Sequence, residues 1–388
     1  MTTALCVSVM LVASSVFEGF QQQIAEKVFG FWGHIHITDV ESNRSIEPIP
    51  LKDSKELKKL CMEYDYSSLH FAKNPIKDIE EFVLLPGILG NKDEFEGLFL
   101  KGVNSHFDWD FLKKFIKKGN KLQFNDSSFS KEIILSEQIA AKLNLNVGES
   151  LIAHFFIDNK LIKRKLQVVG IYRTGLEEYD KKFALVDIAL LQQLLQWKKD
   201  EVTGLEVFTS EINRVEEIND FLYEKVLPGT VYSESIRNKY PAIFEWLALQ
   251  DINKYFILGL IFLVCIINIS ITLLILIMTR TQMIGILSTI GMSAWDQRKI
   301  FIRYGIQIVT KGMLIGNAIG LGICLLQYHF KFIKLNEENY YLDHAPISLN
   351  PYILIFVNLI FFVVICINLI IPSYYVARIN PVNALRFR

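Results

Sequence analysis

Cysteine is nearly absent from the polar part of this chain. Of five cysteines, Cys6, Cys265, Cys324 and Cys366 lie inside apolar runs and only Cys61 lies outside them. One thiol cannot build a disulfide framework, so all five read as small apolar packing residues. Net charge is missing too, because 41 basic side chains balance 41 acidic ones; without a basic excess there is no electrostatic footprint for nucleic acid. No G-x-x-x-x-G-K-[ST] sequence occurs, so nothing here can cradle the phosphates of a nucleotide. Histidine spacing shows no convergence on a metal: His34 and His36 alternate on one segment, and His70, His106 and His154 are scattered. Glu177, Glu178 and Asp180 lie close together in TGLEEYD, but with no nucleophile or glycine-rich site beside them the segment reads as a connection or contact, not a hydrolytic centre.

What the chain has is uncharged apolar length. Tyr255–Met278 carries no charge, and at ~1.5 Å rise per residue it crosses a ~30 Å hydrocarbon core. Further spans are expected at 300–328 and 352–371. Ala4–Phe17 is short for a span, yet a signal peptide would need a basic start and a small-x-small cleavage site that are missing. It reads as a first membrane helix, residues 1–19, whose beginning lies upstream. Arg280 marks an exit from the membrane and Arg298, Lys299 and Arg303 a re-entry, which places the turn between them in the cytoplasm. The N-terminus then lies inside, residues 20–254 outside, 329–350 outside, and Arg378, Arg386 and Arg388 inside. Lys311 is the outlier, about a third of the way into the third span; an ion at mid-membrane costs about 2.5–3.5 kcal/mol. It reads as snorkelling to the cytosolic interface, with a subunit carbonyl or a lipid phosphate as the alternative partner.

Residues 20–254 have ordinary soluble composition and read as mixed α and β, long enough for two subdomains. Strands are expected at His34–Val40, Lys131–Leu135, Phe183–Val186 and Gly204–Phe208, with a hairpin of Leu151–Phe156 and Leu161–Tyr172 about the Asp158-Asn159-Lys160 turn. Helices are expected at Lys52–Cys61, Ser136–Leu143 with Ser136 as cap, Asp187–Trp197 and Arg214–Val226. Asn120–Ser130 reads as a surface loop, and Ser235–Leu249 as an amphipathic lead into the second span.

Four blocks together resemble the FtsX/MacB/LolC-LolE permease superfamily of ABC systems, most closely its lipoprotein-releasing branch: VFEGFQQQIAEKVFGFWGHIHI; ILSEQIAAKLNLNVGESL with VVGIYRTGLEEYDKKFALVD; FEWLAL before NISITLLILIMTRTQMIGILSTIGMS; and INPVNALRFR. The resemblance implies an α-helical membrane protein with four transmembrane helices, the first truncated, and a large mixed α/β periplasmic domain inserted between helices one and two. Residues 255–388 would be the permease domain. It also implies a bacterial inner-membrane location, a second permease subunit in a homodimer or a LolC/LolE-like heterodimer, and a lipoprotein substrate. ATP and Mg would be bound by a separate cytosolic ATPase, so the chain would be no enzyme and carry no cofactor.

The family's coupling helix maps to residues 281–298. There Gln282, Ile284, Gly285, Ile286, Leu287 and Gly291 would engage the ATPase, with Ile284, Ile286, Leu287 and Ile290 as apolar knobs and the glycines permitting close approach and a sharp turn. Met283 stands where the family commonly has an acidic residue, which removes a salt bridge expected at that point. Ser15, Val16 and Phe17 on the first helix, with Leu260, Val264, Asn268 and Ile269 on the second, would face a substrate portal by matching position. In the LolC branch a proline-rich hairpin recruits a periplasmic lipoprotein chaperone. The corresponding Leu151–Leu166 hairpin is short and lacks proline, which points to the LolE type or a homodimer and leaves the chaperone an open partner. The competing readings are a MacB-like export permease, a class that usually carries its ATPase in the same chain, and an FtsX-like mechanotransmitting permease, whose inserts are usually smaller.

Overall fold

The computed structural model describes residues 1–42, 47–71, 74–92, 94–125 and 129–374. The INPVNALRFR block and Arg378, Arg386 and Arg388 lie outside them, as does part of the Asn120–Ser130 segment. The contacts divide the chain into two units: a helical unit of Met1–Gln23, Glu245–Leu335 and the chain from His344 on, and an insert of Ile24–Phe244 with Asn336–Asp343.

Helix α1 (Thr2–Trp32) opens the chain. It is followed by β1 (Ile35–Asp39), α2 (Ser54–Glu63), β2 (Ile76–Asn91), β3 (Glu94–Val103), α3 (Trp109–Lys113), β4 (Ile116–Gly119) and β5 (Glu132–Ser136). Next come α4 (Glu137–Lys142), β6 (Ser150–Ile157), β7 (Lys160–Tyr172), α5 (Glu177–Asp180), β8 (Phe183–Asp187), α6 (Ile188–Leu195) and β9 (Gly204–Thr209). Then α7 (Val215–Phe221), β10 (Val231–Ser235) and α8 (Ile236–Lys239) precede the long helix α9 (Pro241–Thr279). The chain continues through α10 (Thr281–Thr289), α11 (Ala294–Phe330), α12 (Glu337–Tyr340), α13 (Pro351–Asn368) and α14 (Ile370–Ser373).

In the insert β2 is the spine. Its first half, Ile76–Phe82, pairs with β9, which continues antiparallel to β1 and β10. Its second half pairs with β3 on one edge and β6 on the other, and the ladders β3–β8, β8–β5, β5–β7 and β7–β6 close a six-strand ring. The ring is filled by Leu85, Leu89, Leu98, Leu100, Ile133, Leu135, Ala153, Phe155, Leu166 and Val168, so it is a packed core and not a pore. Each Leu or Phe sealed there contributes about 1.5–3 kcal/mol. Gly87 lets the ring close, because a Cβ would sit 2.8 Å from Leu100 Cδ1 and 3.1 Å from Phe155 Cε1.

The β2–β3 hairpin escapes a sequence reading because Pro86, Gly87, Gly90, Gly97 and Gly102 punctuate it. The fold tolerates Pro86 for a specific reason: the β9 ladder ends at Phe82 and the β6 ladder starts at Ile88, so Pro86 lies where that edge of β2 has no partner strand. The β6–β7 turn is legible, since Asp158 and Asn159 both take φ > 0 as a two-residue hairpin requires. Ser136 caps α4 through the Ile139 N–H at 3.1 Å.

The helix boundaries differ from expectation. α1 does not stop at residue 19: Ile24, Val28 and Phe31 recur at helical spacing and are fully buried, so the apolar stripe carries the helix on to Trp32, where Gly33 at φ +69° ends it. α9 starts at Pro241, with proline at its first position, 14 residues before the expected Tyr255. Of the expected amphipathic lead Ser235–Leu249, Ser235 ends β10, Ile236–Lys239 form the short α8, and the rest from Pro241 is the first part of α9, which does run into the apolar stretch.

Among the described residues, four helices are long and apolar enough to cross a membrane: Thr2–Trp32, Pro241–Thr279, Ala294–Phe330 and Pro351–Ser373. In the helical unit α11 turns Gly305, Gly312, Gly316 and Gly320 inward. At Gly316 a Cβ would lie 2.5 Å from Ala4 O, so only hydrogen lets α1 and α11 approach this closely. Asn317 and Asn358 exchange amide hydrogen bonds of 2.8 and 3.0 Å between α11 and α13, and Asn368 donates to Ser270 Oγ at 2.9 Å on α9.

Candidate functional site

α10 is set by a one-residue link and a locked turn. After α9 ends, Arg280 (φ −110°, ψ 18°) breaks the helix and α10 begins at once. At its far end Gly291 takes φ +93°, the Gly291 N–H bonds Ser288 O at 3.1 Å, and the Met292 N–H bonds Leu287 O at 3.0 Å. This pair of bonds satisfies the last carbonyls and requires a residue at ease with positive φ. Ser293 then caps α11 through the Asp296 N–H at 3.1 Å, and Gln297, buried, donates to Ser288 Oγ at 2.8 Å and Met292 O at 3.2 Å. Residues 294–298, expected in the coupling helix, thus belong to α11, because Ser293 starts a new helix there.

The fixed ledge has two faces. Ile284 and Gly285 are buried, Ile284 in a core with Leu273, Ile277 and Phe301, so Ile284 is not the free knob the sequence suggested. Met283 packs half-buried against the same core, which gives an apolar side chain at that position a structural reason. Gln282, Ile286 and Ile290, spaced by four, form the outer face, with Ile286 50% and Ile290 78% exposed; Leu287 is half-buried. Trp295, 56% exposed and within 5.3 Å of the Arg298 guanidinium, extends the apolar surface beyond Gly291.

The expected portal residues do not share one face. Leu260 and Val264 are exposed, and the Asn268 amide donates to Val264 O at 2.8 Å on its own helix. Ile269, nine residues after Leu260 and therefore about half a turn round α9, is buried in the core. On α1, Ser15 is buried with its carbonyl accepting from the Ser348 N–H at 3.0 Å, and Val16 and Phe17 are half-buried.

Residues 255–381 match the FtsX-like permease C-terminal family model. The lipoprotein-releasing system transmembrane protein LolE of Haemophilus influenzae is 25% identical over an alignment covering 98% of this chain and 92% of the relative. The LolC protein of Buchnera aphidicola is 23% identical, with 98% and 90% covered. The chain resembles these permeases from end to end. Among solved structures, the periplasmic region of MacB from Actinobacillus actinomycetemcomitans covers 54% of this chain and 91% of its own, at 14% identity and a TM-score of 0.36.

In the insert, the last turn of α1 is held by buried charges that sequence reasoning missed. Lys101 on β3 is fully buried: its ammonium donates to Phe31 O, lies 2.7 Å from Glu206 Oε1 and sits 4.3 Å from the Trp32 ring. His36 bonds Trp32 O through Nε2 at 2.9 Å and Lys239 through Nδ1 at 3.0 Å. A carbonyl only accepts and an ammonium only donates, so His36 carries its proton on Nε2 and is neutral. The Lys101 ammonium at Phe31 O and the His36 N–H at Trp32 O thus meet the carbonyls at the negative end of a long helix, and Lys239 holds His36 in place through its other ring nitrogen. Register does the rest: Glu234, His36, Glu206 and Glu80 stand opposite one another across β10, β1, β9 and β2. The available signal was a lone charge in an apolar strand, as in GLFLKGV and GLEVF. A second hold lies nearby, where Lys27 on α1 donates to Thr174 O and, at 2.8 Å, to Tyr341 O. Asp180 of TGLEEYD pins that loop by accepting from Thr174 Oγ1 at 2.8 Å and the Gly175 N–H at 3.0 Å.

Burial, and then the facing Glu206 carboxylate, push the Glu80 carboxyl up to about 8 against the pull of Lys101. The folded chain therefore keeps this proton over a range where the unfolded chain, at about 4.3, has lost it. The folded state binds more protons there, so stability falls as pH rises through about 8. His34, held down to about 4 mainly by burial, and His36, lowered by the same cause, act with the opposite sign: their contribution is complete above the ordinary histidine range and is lost on acidification. The stability of the full chain, followed as its thermal midpoint, should thus decline between roughly pH 6.5 and 8 and level off above that, and Glu80→Gln should flatten the decline by up to about 1.4 kcal/mol of stability per pH unit. Parallel declines in the two proteins would show that Glu80 is already ionised in the fold.

Proposed function

We propose that this permease extracts lipoproteins from the bacterial inner membrane for delivery to the outer membrane, powered by a separate cytosolic ATPase that binds ATP and Mg. The observation that carries the reading is the end-to-end similarity to proteins named as lipoprotein-releasing, at 98% coverage of the chain. The ledge formed by α10 supports it, since a locked helix with Ile286 and Ile290 outward suits an apolar groove on the ATPase. A second permease subunit, the same or a LolC/LolE-like partner, completes the transporter, with the insert in the periplasm.

The chemistry of the cargo explains the need for ATP. Each acyl methylene drawn out of lipid costs roughly 0.8 kcal/mol, so a multiply acylated anchor does not leave spontaneously at a useful rate. On α9 the exposed Leu260 and Val264 offer an apolar surface to such chains, and Val16 and Phe17 of α1 offer less because they are half-buried. The test is depletion of the permease in its native cell, followed by membrane fractionation and proteomics of acylated proteins. Outer-membrane lipoproteins should accumulate in the inner membrane. An unchanged distribution sinks the proposal and favours a secreted cargo or a periplasmic partner enzyme.

A further inference from the structure

The two faces of α11 differ in kind. The glycine face is buried, whereas Arg303, Gln307, Thr310 and Lys311, on the opposite side, are exposed. Arg303 and Lys311 are eight residues apart, about 12 Å along the axis, with Gln307 midway. Neither cation has a hydrogen-bond or ion-pair partner among the described residues, and the Thr310 hydroxyl is turned back to Ile306 O at 2.8 Å. Bare cations against hydrocarbon are costly, so something polar must cover this stripe in a membrane.

A second copy of this chain supplies no counter-charge at that depth. Ala4–Phe17, Tyr255–Met278, and residues 297–330 and 351–374 contain no Asp or Glu. The acidic residue at the foot of α11, Asp296, is already engaged by the Ser293 hydroxyl at 2.6 Å and by Lys299 at 3.1 Å. An anion that comes with the membrane itself meets the requirement. We propose that Arg303, Gln307 and Lys311 clasp the headgroup phosphate of an anionic phospholipid in the leaflet that holds the N-terminal end of α11.

The geometry suits that occupant. Lys311 lies deepest, and its four-carbon stem carries the ammonium back toward the level of Gln307. Arg303 reaches the same level from the interface side with a planar fork that matches phosphate oxygens, and the Gln307 amide donates between them. Tyr304, 54% exposed beside Arg303, brings a ring to headgroup depth. Two cations select a lipid of net negative charge, because the ammonium of a zwitterionic headgroup would meet them as a like charge. The inference rests on the chain being a membrane permease and not on its cargo, so it stands or falls independently of the depletion experiment.

The test is native mass spectrometry of the purified full chain from micelles holding equal amounts of phosphatidylglycerol and phosphatidylcholine. Wild-type protein should retain phosphatidylglycerol preferentially. Arg303→Gln and Lys311→Gln should each weaken that retention about fivefold and the pair about 30-fold, whereas Arg303→Lys with Lys311→Arg should keep it. Equal retention of the two lipids by wild type, a measurement that needs no variant, overturns the proposal. So does unchanged preference in the Gln pair, or loss of self-association in that pair with lipid binding intact, which would make the stripe a protein interface.

Discussion

Ile286→Glu should abolish binding of the cytosolic ATPase proposed above while leaving the fold of the chain intact. Ile286 is 50% exposed on a helix whose two ends are locked, so the substitution puts a carboxylate on solvent-facing surface at little cost to the free chain. On docking, that carboxylate would enter an apolar groove without a partner. Truncating or charging a central apolar anchor costs about 2–4 kcal/mol, a loss in ATPase affinity of roughly 30- to 1,000-fold. The measurement is co-purification and equilibrium binding of the ATPase, with the thermal midpoint of the permease as control. Ile284→Glu should do the reverse at the level of cause: Ile284 lies in the core with Leu273 and Phe301, so its substitution should lower the midpoint of the permease alone. Wild-type binding by the Ile286→Glu protein would mean that α10 is merely a connector between spans.

Lys101→Ala should be the most destabilising change in the insert. It leaves Glu206 buried without its ion pair and Phe31 O without its donor, at the end of α1. Breaking one side of a buried pair costs about 3–5 kcal/mol, which at about 2–4 °C per kcal/mol in a domain of this size is a fall of roughly 6–20 °C in thermal midpoint. The pair itself need not be a net gain. Lys101→Met combined with Glu206→Leu, which removes both charges and fills their volume, should recover most of the loss, because the desolvation of both ions is avoided. If the double variant is no better than Lys101→Ala, the essential contact is the hydrogen bond to Phe31 O and not the ion pair. Thermal unfolding of the full chain in detergent separates these outcomes.

These two residues also mark how far the sequence alone can be read. The four apolar helices, the β6–β7 hairpin and the Ser136 cap are local properties, set by uncharged length, turn chemistry and a side chain three residues from its partner. Gly291 was legible for the same reason, as a turn residue between two apolar stretches. Helix ends were less legible. α1 runs past its apolar segment because Ile24, Val28 and Phe31 find a core, and polar residues between them gave no hint of that burial.

Facing and pairing were decided only in three dimensions. Leu260 and Ile269 carry equal hydrophobicity in the sequence, yet nine residues of helix place one outward and the other in the core. Ile284 and Ile286 part for the same reason, two residues of helix turning them well over 90° apart. Lys101, Glu206, His36 and Glu80 come from four strands whose register no local pattern reveals, and Pro86 hid the strand that joins the two halves of the insert. The sequence by itself determined which stretches are long and apolar enough to cross a membrane and where the turn at Gly291 sits, since hydrophobic length and backbone preference act within a few residues. Which side chains meet was left to the tertiary structure, because burial and charge pairing depend on distances that the chain closes only when it folds.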